Sequence, residues 1–304
     1  MSSKERRTVP PEAIELYNQY IHGEISRRAF LDRARQFAVV GLSAGTIVKA
    51  LMPDYAMGQQ IARDDERIRA RYVTLPSPQG YGFIKGYLVR PFSADSRSAE
   101  PTKLPGIIVV HENRGLNPHT EDVARRLAMA NFMAFAPDVL TSVGGYPGDD
   151  YQAGQLFAGL DAGKRFEDIV ASALWLKNRS DCTGKIGVTG FCYGGGVSNQ
   201  LAVRLGADLA AAVPFYGAAV PDADVPKIKA AILVQHGALD KRLVDAWPAY
   251  DAALKAAGVP HEGHIYPNAV HGFFNDATPE RYNEAAAAEA WTRMVNWFNT
   301  YVRS

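Results

Sequence analysis

Short, almost uninterrupted apolar runs occupy residues 106–110, 132–136, 185–189, 209–215 and 230–235. Runs of that length bounded by turn residues predict buried strands. Between and after them, apolar positions recur every three or four residues over 121–130, 165–178, 194–205, 244–257 and 279–301, which predicts amphipathic helices. In the last of these, Trp291, Met294, Val295, Phe298 and Tyr301 form a packing stripe. Residues 264–266 add a short strand. Upstream, 69–75 and 83–90 are β-rich and joined by Pro76-Ser77-Pro78-Gln79-Gly80, a hairpin connection. Residues 93–103 are polar and predict a loop. Residues 138–163, rich in Gly, Asp and Tyr, predict a long irregular stretch, and such stretches tend to be lids or rims. Strands alternating with helices specify an α/β fold: a mostly parallel sheet with helices on both faces. In such sheets chemistry gathers at the carboxyl ends of the strands.

Residues 1–60 have another texture. Ser26-Arg27-Arg28-Ala29-Phe30-Leu31 precedes the uncharged run 36–48, an order that resembles a twin-arginine export signal. That run is shorter than the about 20 residues a bilayer requires, so no stable membrane insertion is expected. The same residues also read as helices. Phe30, Ala34, Phe37, Ala38, Gly41 and Ala44 recur at helical spacing behind Ser26 as a cap, and Ile14, Tyr17 and Ile21 form a shorter stripe before Gly23. Glu5, Glu12, Glu15, Glu24 and Asp32 among the basic residues, and Lys49 late in the run, suit helices better than a signal. Two helices joined near residues 22–26 would dock on the main domain or on another copy of the chain, a route to a homo-oligomer. The chain thus divides into a leader, 1–60, and a domain, 61–304. Cytoplasm and periplasm both remain open as its compartment.

Composition narrows the function. The 304 residues carry 33 Lys+Arg against 32 Asp+Glu, a net charge of +1. No basic block offers the clustered cations that a nucleic acid requires. At 47% hydrophobic and 21% charged, the chain has the composition of a folded protein. Its two cysteines, Cys182 and Cys192, build neither a disulfide framework nor a four-thiolate zinc site. They bracket the strand 185–189, which keeps them too far apart to bridge.

One motif carries chemistry. Residues 185–196 read Lys-Ile-Gly-Val-Thr-Gly-Phe-Cys-Tyr-Gly-Gly-Gly, a strand, then G-x-C-x-G, then a helix. On such an elbow the nucleophile sits in a strained turn, and small neighbours are needed where the backbone folds back. The turn exposes Cys192 and aims the Tyr193 backbone N–H at the same space, while the helix start favours a thiolate and a developing oxyanion. The alternative is a buried structural cysteine on a glycine-rich turn. A cysteine nucleophile needs a base and a group to orient it. Downstream, the strand 230–235 runs into a turn presenting Asp240, and Ile265 to Phe273 end in a loop presenting His271, in the chain order nucleophile, acid, histidine. His236 serves the turn. His261 and His264, three apart on a strand, face opposite ways, and His22 and His119 have no motif around them. Neither a metal nor a cofactor is expected. After the strand 106–110, His111-Glu112-Asn113-Arg114-Gly115 offers the Asn113 N–H as second oxyanion donor. Glu112 there either faces Cys192 or pairs with Arg114.

Together these residues resemble the dienelactone hydrolase (carboxymethylenebutenolidase) family of α/β-hydrolases, over about Arg69 to Val302. The resemblance rests on Gly190-Phe191-Cys192-Tyr193-Gly194-Gly195, on Asp240 in Gly237-Ala238-Leu239-Asp240, on His271-Gly272-Phe273 and on Glu112. The wording around Glu112 and the helical leader resemble a bacterial subgroup with a similar extension. The resemblance implies a thioester acyl-enzyme on Cys192, with His271 as base and acid and Asp240 holding its tautomer. It also implies a Glu112 that modulates the protonation of Cys192. Dienelactone-specific members carry an arginine shortly after the catalytic histidine, whereas Phe274, Asn275 and Asp276 stand here, and Arg114 is the candidate substitute. The expectation is a hydrolase of small esters or lactones, its pocket roofed by 138–163 and lined by Tyr193, Tyr216 and Phe273. Dehalogenation or phosphotriester cleavage at the same site, and a non-catalytic binding or assembly role, are the alternatives.

Overall fold

The apolar runs become strands because each is buried from both sides. A computed structural model of the chain describes residues 9–21, 24–92 and 102–303; His22 and residues 93–101 of the polar connection lie outside them. The strands are β1 (Ile68–Ser77), β2 (Gly82–Pro91), β3 (Leu104–Val110), β4 (Met133–Asp138), β5 (Cys182–Phe191), β6 (Ala211–Phe215), β7 (Ala231–Gly237) and β8 (His261–Tyr266). They form one sheet in the order β1-β2-β4-β3-β5-β6-β7-β8. Only the β1–β2 and β2–β4 pairs are antiparallel. This is the α/β-hydrolase fold.

Alternate residues of each strand face opposite ways, and both faces are covered. On one face Val123 and Leu127 of α5 (Pro118–Met129) and Met294 and Phe298 of α10 (Glu284–Tyr301) pack with Ile107 and Val109. On the other, Ile169 and Leu176 of α7 (Ala162–Lys177), Leu201 of α8 (Tyr193–Leu205) and Leu254 of α9 (Lys241–Ala256) pack with Ile108 and Val110. Burying each such side chain contributes about 1.5–3 kcal/mol.

Three expectations need correction. Residues 138–163 are not irregular throughout: a 3-10 turn (Thr141–Val143) and the helix α6 (Asp150–Ala158) lie within them. Asp149 caps α6 by accepting from the Gln152 N–H at 2.7 Å. The last helix begins at Glu284 rather than 279, because Asn283 caps it through the Ala286 N–H at 3.1 Å. Residues 278–282 instead make a single turn closed on the Thr278 carbonyl.

The stripe 30–44 is likewise not one helix. Beyond α1 (Pro11–Ile21), α2 (Arg27–Ala34) passes into a 3-10 run (Arg35–Val40) that ends at Gly41, whose φ of +80° lies in the left-handed region. Ser43 then caps α3 (Ala44–Leu51), and Asp54 caps the single turn α4 (Tyr55–Gly58). The expected Ser26 cap is present, accepting from the Ala29 N–H at 3.2 Å. The first three helices bury Ile14, Leu16, Phe30, Ala34, Ile47 and Leu51 around Val270 in a third, smaller cluster, so the extension docks on its own domain. Among the described residues no helix is long and apolar enough to cross a membrane.

Candidate active site

Sheet register gathers the predicted residues. Val110 of β3 pairs with Gly190 of β5, so Glu112 and Cys192 each stand two residues beyond one rung of the ladder. Phe191 pairs with Phe215 and Phe215 with Gln235, which brings Tyr216 beside Cys192. Gly237 pairs with Tyr266, and the Leu239 N–H donates to the Ala269 carbonyl at 2.9 Å, tying the Asp240 turn to the His271 loop. The strand order reverses around β3, and ligand sites of open α/β sheets form at such a point.

Cys192 lies at φ +54°, an elbow held by its N–H donating to the Phe215 carbonyl at 3.1 Å and its carbonyl accepting from Gly196 at 3.1 Å. A non-glycine residue held there costs on the order of 1–3 kcal/mol, and such strain concentrates at functional sites. The glycines around it are required by contact. A Cβ on Gly190 would stand 2.2 Å from the Gly194 carbonyl oxygen, and one on Gly194 2.2 Å from that of Val110. The thiol is partly exposed, whereas Cys182 is buried and burial pushes its thiol up.

His271 Nδ1 and Asp240 Oδ2 are 2.6 Å apart, both groups buried. Burial, the largest influence on His271, acts to lower its pKa. The negative charge of Cys192 and the bond to Asp240 outweigh it and push the imidazole up to about 10. Burial works against the Asp240 carboxylate too, yet the hydrogen bond and charge of His271 hold it below the usual carboxylate range. The Tyr216 ring, at φ +36°, lies 4.9 Å from His271. Its phenol is raised well above its ordinary value by burial first, then by the charges of Glu112 and Cys192.

Glu112 and Arg114 do not form an ion pair; among the described residues Arg114 instead donates from Nη1 to the Asn113 carbonyl at 2.9 Å. The same guanidinium lies under α6, where a Cβ on Gly154 would meet it at 2.8 Å. That contact ties the Asn113 peptide to the lid helix. Tyr193 follows Cys192 at the start of α8, and its ring packs on Phe157 of α6 at 4.8 Å. Phe273 and Tyr216 are both buried in the same core cluster, their rings 5.6 Å apart, with Tyr216 in ring contact with His271.

Several residues around the site were invisible in the sequence. Tyr55 of α4 donates to both Asp150 oxygens at 2.9 and 3.0 Å and accepts from Asn117 Nδ2 at 2.9 Å, and Tyr146 donates to the same carboxylate at 2.8 Å. Burial, foremost, raises Asp150. Asp138 joins the flanking loops by accepting from the backbone N–H groups of Leu116, Leu140 and Tyr146 at 3.0–3.2 Å. Arg281 is buried against Gly272, where a Cβ would stand 3.2 Å from its Nη1.

The remaining histidines serve the fold. His111 is buried, its Nε2 accepting from the Val139 N–H at 3.2 Å, and burial lowers it. His119 meets Asp276 at 3.1 Å. Burial takes His236 down to about 4. His261 meets Asp251 and His264 meets Glu262. Among the described residues no group of three or more His, Cys, Asp or Glu could hold a metal ion. A groove of about 440 Å³ opens on the hairpin side between Phe83, Lys85 and Tyr146, away from Cys192, Asp240 and His271.

A family model, the dienelactone hydrolase family, matches residues 85–302, and a YqhI-like model matches residues 1–40. A protein of Salmonella typhimurium provisionally named a carboxymethylenebutenolidase is 32% identical over 252 residues, covering 78% of this chain and 89% of that one. The hydrolase fragment YghX of Escherichia coli K12 is 48% identical over 115 residues, 38% of this chain and 93% of its own length. A solved dienelactone hydrolase-like promiscuous phosphotriesterase from metagenomic libraries superposes with a TM-score of 0.64 at 27% identity, covering 77% of this chain and 99% of that one.

Proposed function

The chain belongs to the dienelactone hydrolase family, a hydrolase resembling carboxymethylenebutenolidases, and from that premise we propose that it cleaves small carboxylic esters or lactones through Cys192, His271 and Asp240. The observation that carries this reading is the 2.6 Å His271–Asp240 contact beside a strained, partly exposed Cys192. With the imidazole pushed up to about 10, His271 holds its proton at neutral pH, and that positive charge favours the thiolate of Cys192.

The thiolate attacks the carbonyl carbon, forming a C–S bond and moving the carbonyl electron pair onto oxygen. The Tyr193 and Asn113 N–H groups donate to that oxyanion, the second peptide being held by Arg114. As the tetrahedral adduct collapses, His271 gives its Nε2 proton to the departing alkoxide and a thioester remains. The now neutral imidazole takes a proton from water, whose hydroxide attacks the thioester. Collapse expels the Cys192 thiolate, releases the acid and restores the pair. Asp240 keeps Nδ1 protonated throughout, so that Nε2 is the atom that exchanges the proton. Glu112, whose charge acts on Tyr216 together with that of Cys192, opposes extra negative charge there and so modulates the protonation of the sulfur.

The same nucleophile suits a phosphotriester, and the metagenomic relative is described as a promiscuous phosphotriesterase. A panel of p-nitrophenyl esters, simple lactones and an aryl dialkyl phosphate separates the readings. Ester turnover in the wild type should fall by about 10⁴-fold or more in Cys192→Ala. Undiminished ester turnover in that variant refutes the assignment, and phosphotriester turnover exceeding ester turnover selects the second reading. Iodoacetamide should label Cys192 well before the buried Cys182.

A further inference from the structure

We infer that residues 9–21 and 24–58 form the roof of the catalytic pocket, and that Tyr17 is a specificity-determining residue bounding the space beside the His271 loop. The inference rests on Cys192 being the nucleophile.

The extension grips the segment that carries His271 at both ends. Val270, next to His271, is the one residue from outside the extension in the cluster of Ile14, Phe30, Ile47 and Leu51. Farther along, the Asp54 N–H donates to the Ala277 carbonyl at 2.5 Å, and a Cβ on Gly58 would stand 2.6 Å from the Ala277 nitrogen. The Val9 N–H reaches Glu280 at 3.2 Å. On the opposite wall, Tyr55 binds Asp150 at the start of α6, the lid helix under which Arg114 lies. One segment is therefore bonded to both walls of the site.

Tyr17 sits at the centre of this bridge. Its ring packs edge-on against Phe30 at 6.4 Å, inside the cluster that holds Val270. Its phenol is raised foremost by burial, with Arg281 and Arg114 acting to lower it and Asp150 to raise it. Those three belong to the His271 side, the Glu112 loop and α6. Arg281 closes the geometry: it packs on Gly272, the residue after His271, and its buried Nε has no hydrogen-bond acceptor. Tyr17 thus belongs to the segment bonded to both walls and packs against the cluster that holds Val270, next to His271, and a ring in that position limits how large a substrate can be.

The test uses the full-length chain with p-nitrophenyl acetate, butyrate and octanoate. Tyr17→Ala should raise the octanoate-to-acetate ratio of kcat/KM about tenfold, in the range that space for a few methylenes commands. Tyr17→Phe should keep the wild-type ratio. An independent readout requires no turnover: alkylation of Cys192, followed by mass spectrometry, with iodoacetamide and with fluorescein maleimide. In Tyr17→Ala the bulky reagent should gain at least fivefold on the small one. Should Tyr17→Ala fail to fold, hydrogen exchange on the wild type replaces it, and a bulky adduct on Cys192 should accelerate exchange over residues 11–21 where a carbamidomethyl group does not. Unchanged size ratios in a folded Tyr17→Ala, or unchanged exchange, overturn the roof. Loss of the nucleophile reading shows separately, as ester turnover that survives Cys192→Ala.

Discussion

The strand ends and the roof solve the same problem, placing a side chain to within an ångström or so, in opposite ways. At the strand ends placement is a backbone matter. Cys192, Tyr216, Asp240 and Glu112 follow the rungs of one sheet, and each position is set by register one to three residues away. In the roof placement is a side-chain matter. α1, α2 and α3 are 11, 8 and 8 residues long, below the roughly 12–15 at which an isolated helix is even marginal in water. They persist because Phe30 and its neighbours dock on Val270 and because Tyr55 reaches Asp150. A ladder opens only when the sheet does, whereas a docked segment can leave while the rest stays folded. Rigid chemistry and adjustable selectivity thereby fall to separate regions.

The largest effect expected from perturbing this division is on chemistry. Asp240→Asn should lower kcat/KM by about 10³–10⁴-fold, since the imidazole loses both its tautomer control and its counter-charge. The same variant changes the pH dependence of stability. His271 rises from 6.5 unfolded to about 10 folded, so its stabilisation is fully present below pH 6.5 and is lost as pH climbs through 10. Asp240 is lowered on folding, so its contribution is present above its unfolded value and is lost as acid titrates it. Urea midpoints measured from pH 4 to 10 should show a wild-type plateau that flattens at both edges in Asp240→Asn; identical curves would break the assignment of the pair.

Next in size is a matched pair of core truncations. Phe298 is fully buried under the sheet and Phe30 almost so in the roof. Phe298→Ala should cost about 3–5 kcal/mol of global stability by urea unfolding. Phe30→Ala should leave that transition nearly in place and instead speed hydrogen exchange across residues 11–51. Equal losses in the main transition would show that roof and sheet unfold as one unit. Smallest is Tyr55→Phe, which removes a hydroxyl shared by Asp150 and Asn117 and should cost about 1 kcal/mol, read as faster exchange in α4 and α6 with turnover of short esters retained.

What could be read in advance follows the same line. The strand 106–110 and the elbow at Cys192 are local statements: an apolar run, a turn that tolerates only small neighbours, a helix. Asp240 and His271 came from strand-end position and chain order. The helix α6 escaped because its nine residues present few apolar positions, and its cap at Asp149 lies among other acids and glycines. The start of α10 was misplaced because Pro279 resembles a first-turn proline while a single turn on Thr278 intervenes. Tyr17 appeared only as one member of a helical stripe, and Tyr55 and Arg281 left no trace in periodicity, since their partners stand on other loops and no local pattern records a contact across such distances.

The 271 residues between Val9 and its partner Glu280 also impose an order in time. A ribosome releases the roof long before Val270, Ala277 and Glu280, which anchor it to the His271 segment. Until then Ile14, Phe30, Ile47 and Leu51 have only one another to pack against, on a nascent chain surrounded by folding factors. The newborn enzyme thus carries an apolar handle until its final fifty residues emerge. Closure of that handle over the finished pocket is the last step of its manufacture, and the step at which a chaperone has most to hold.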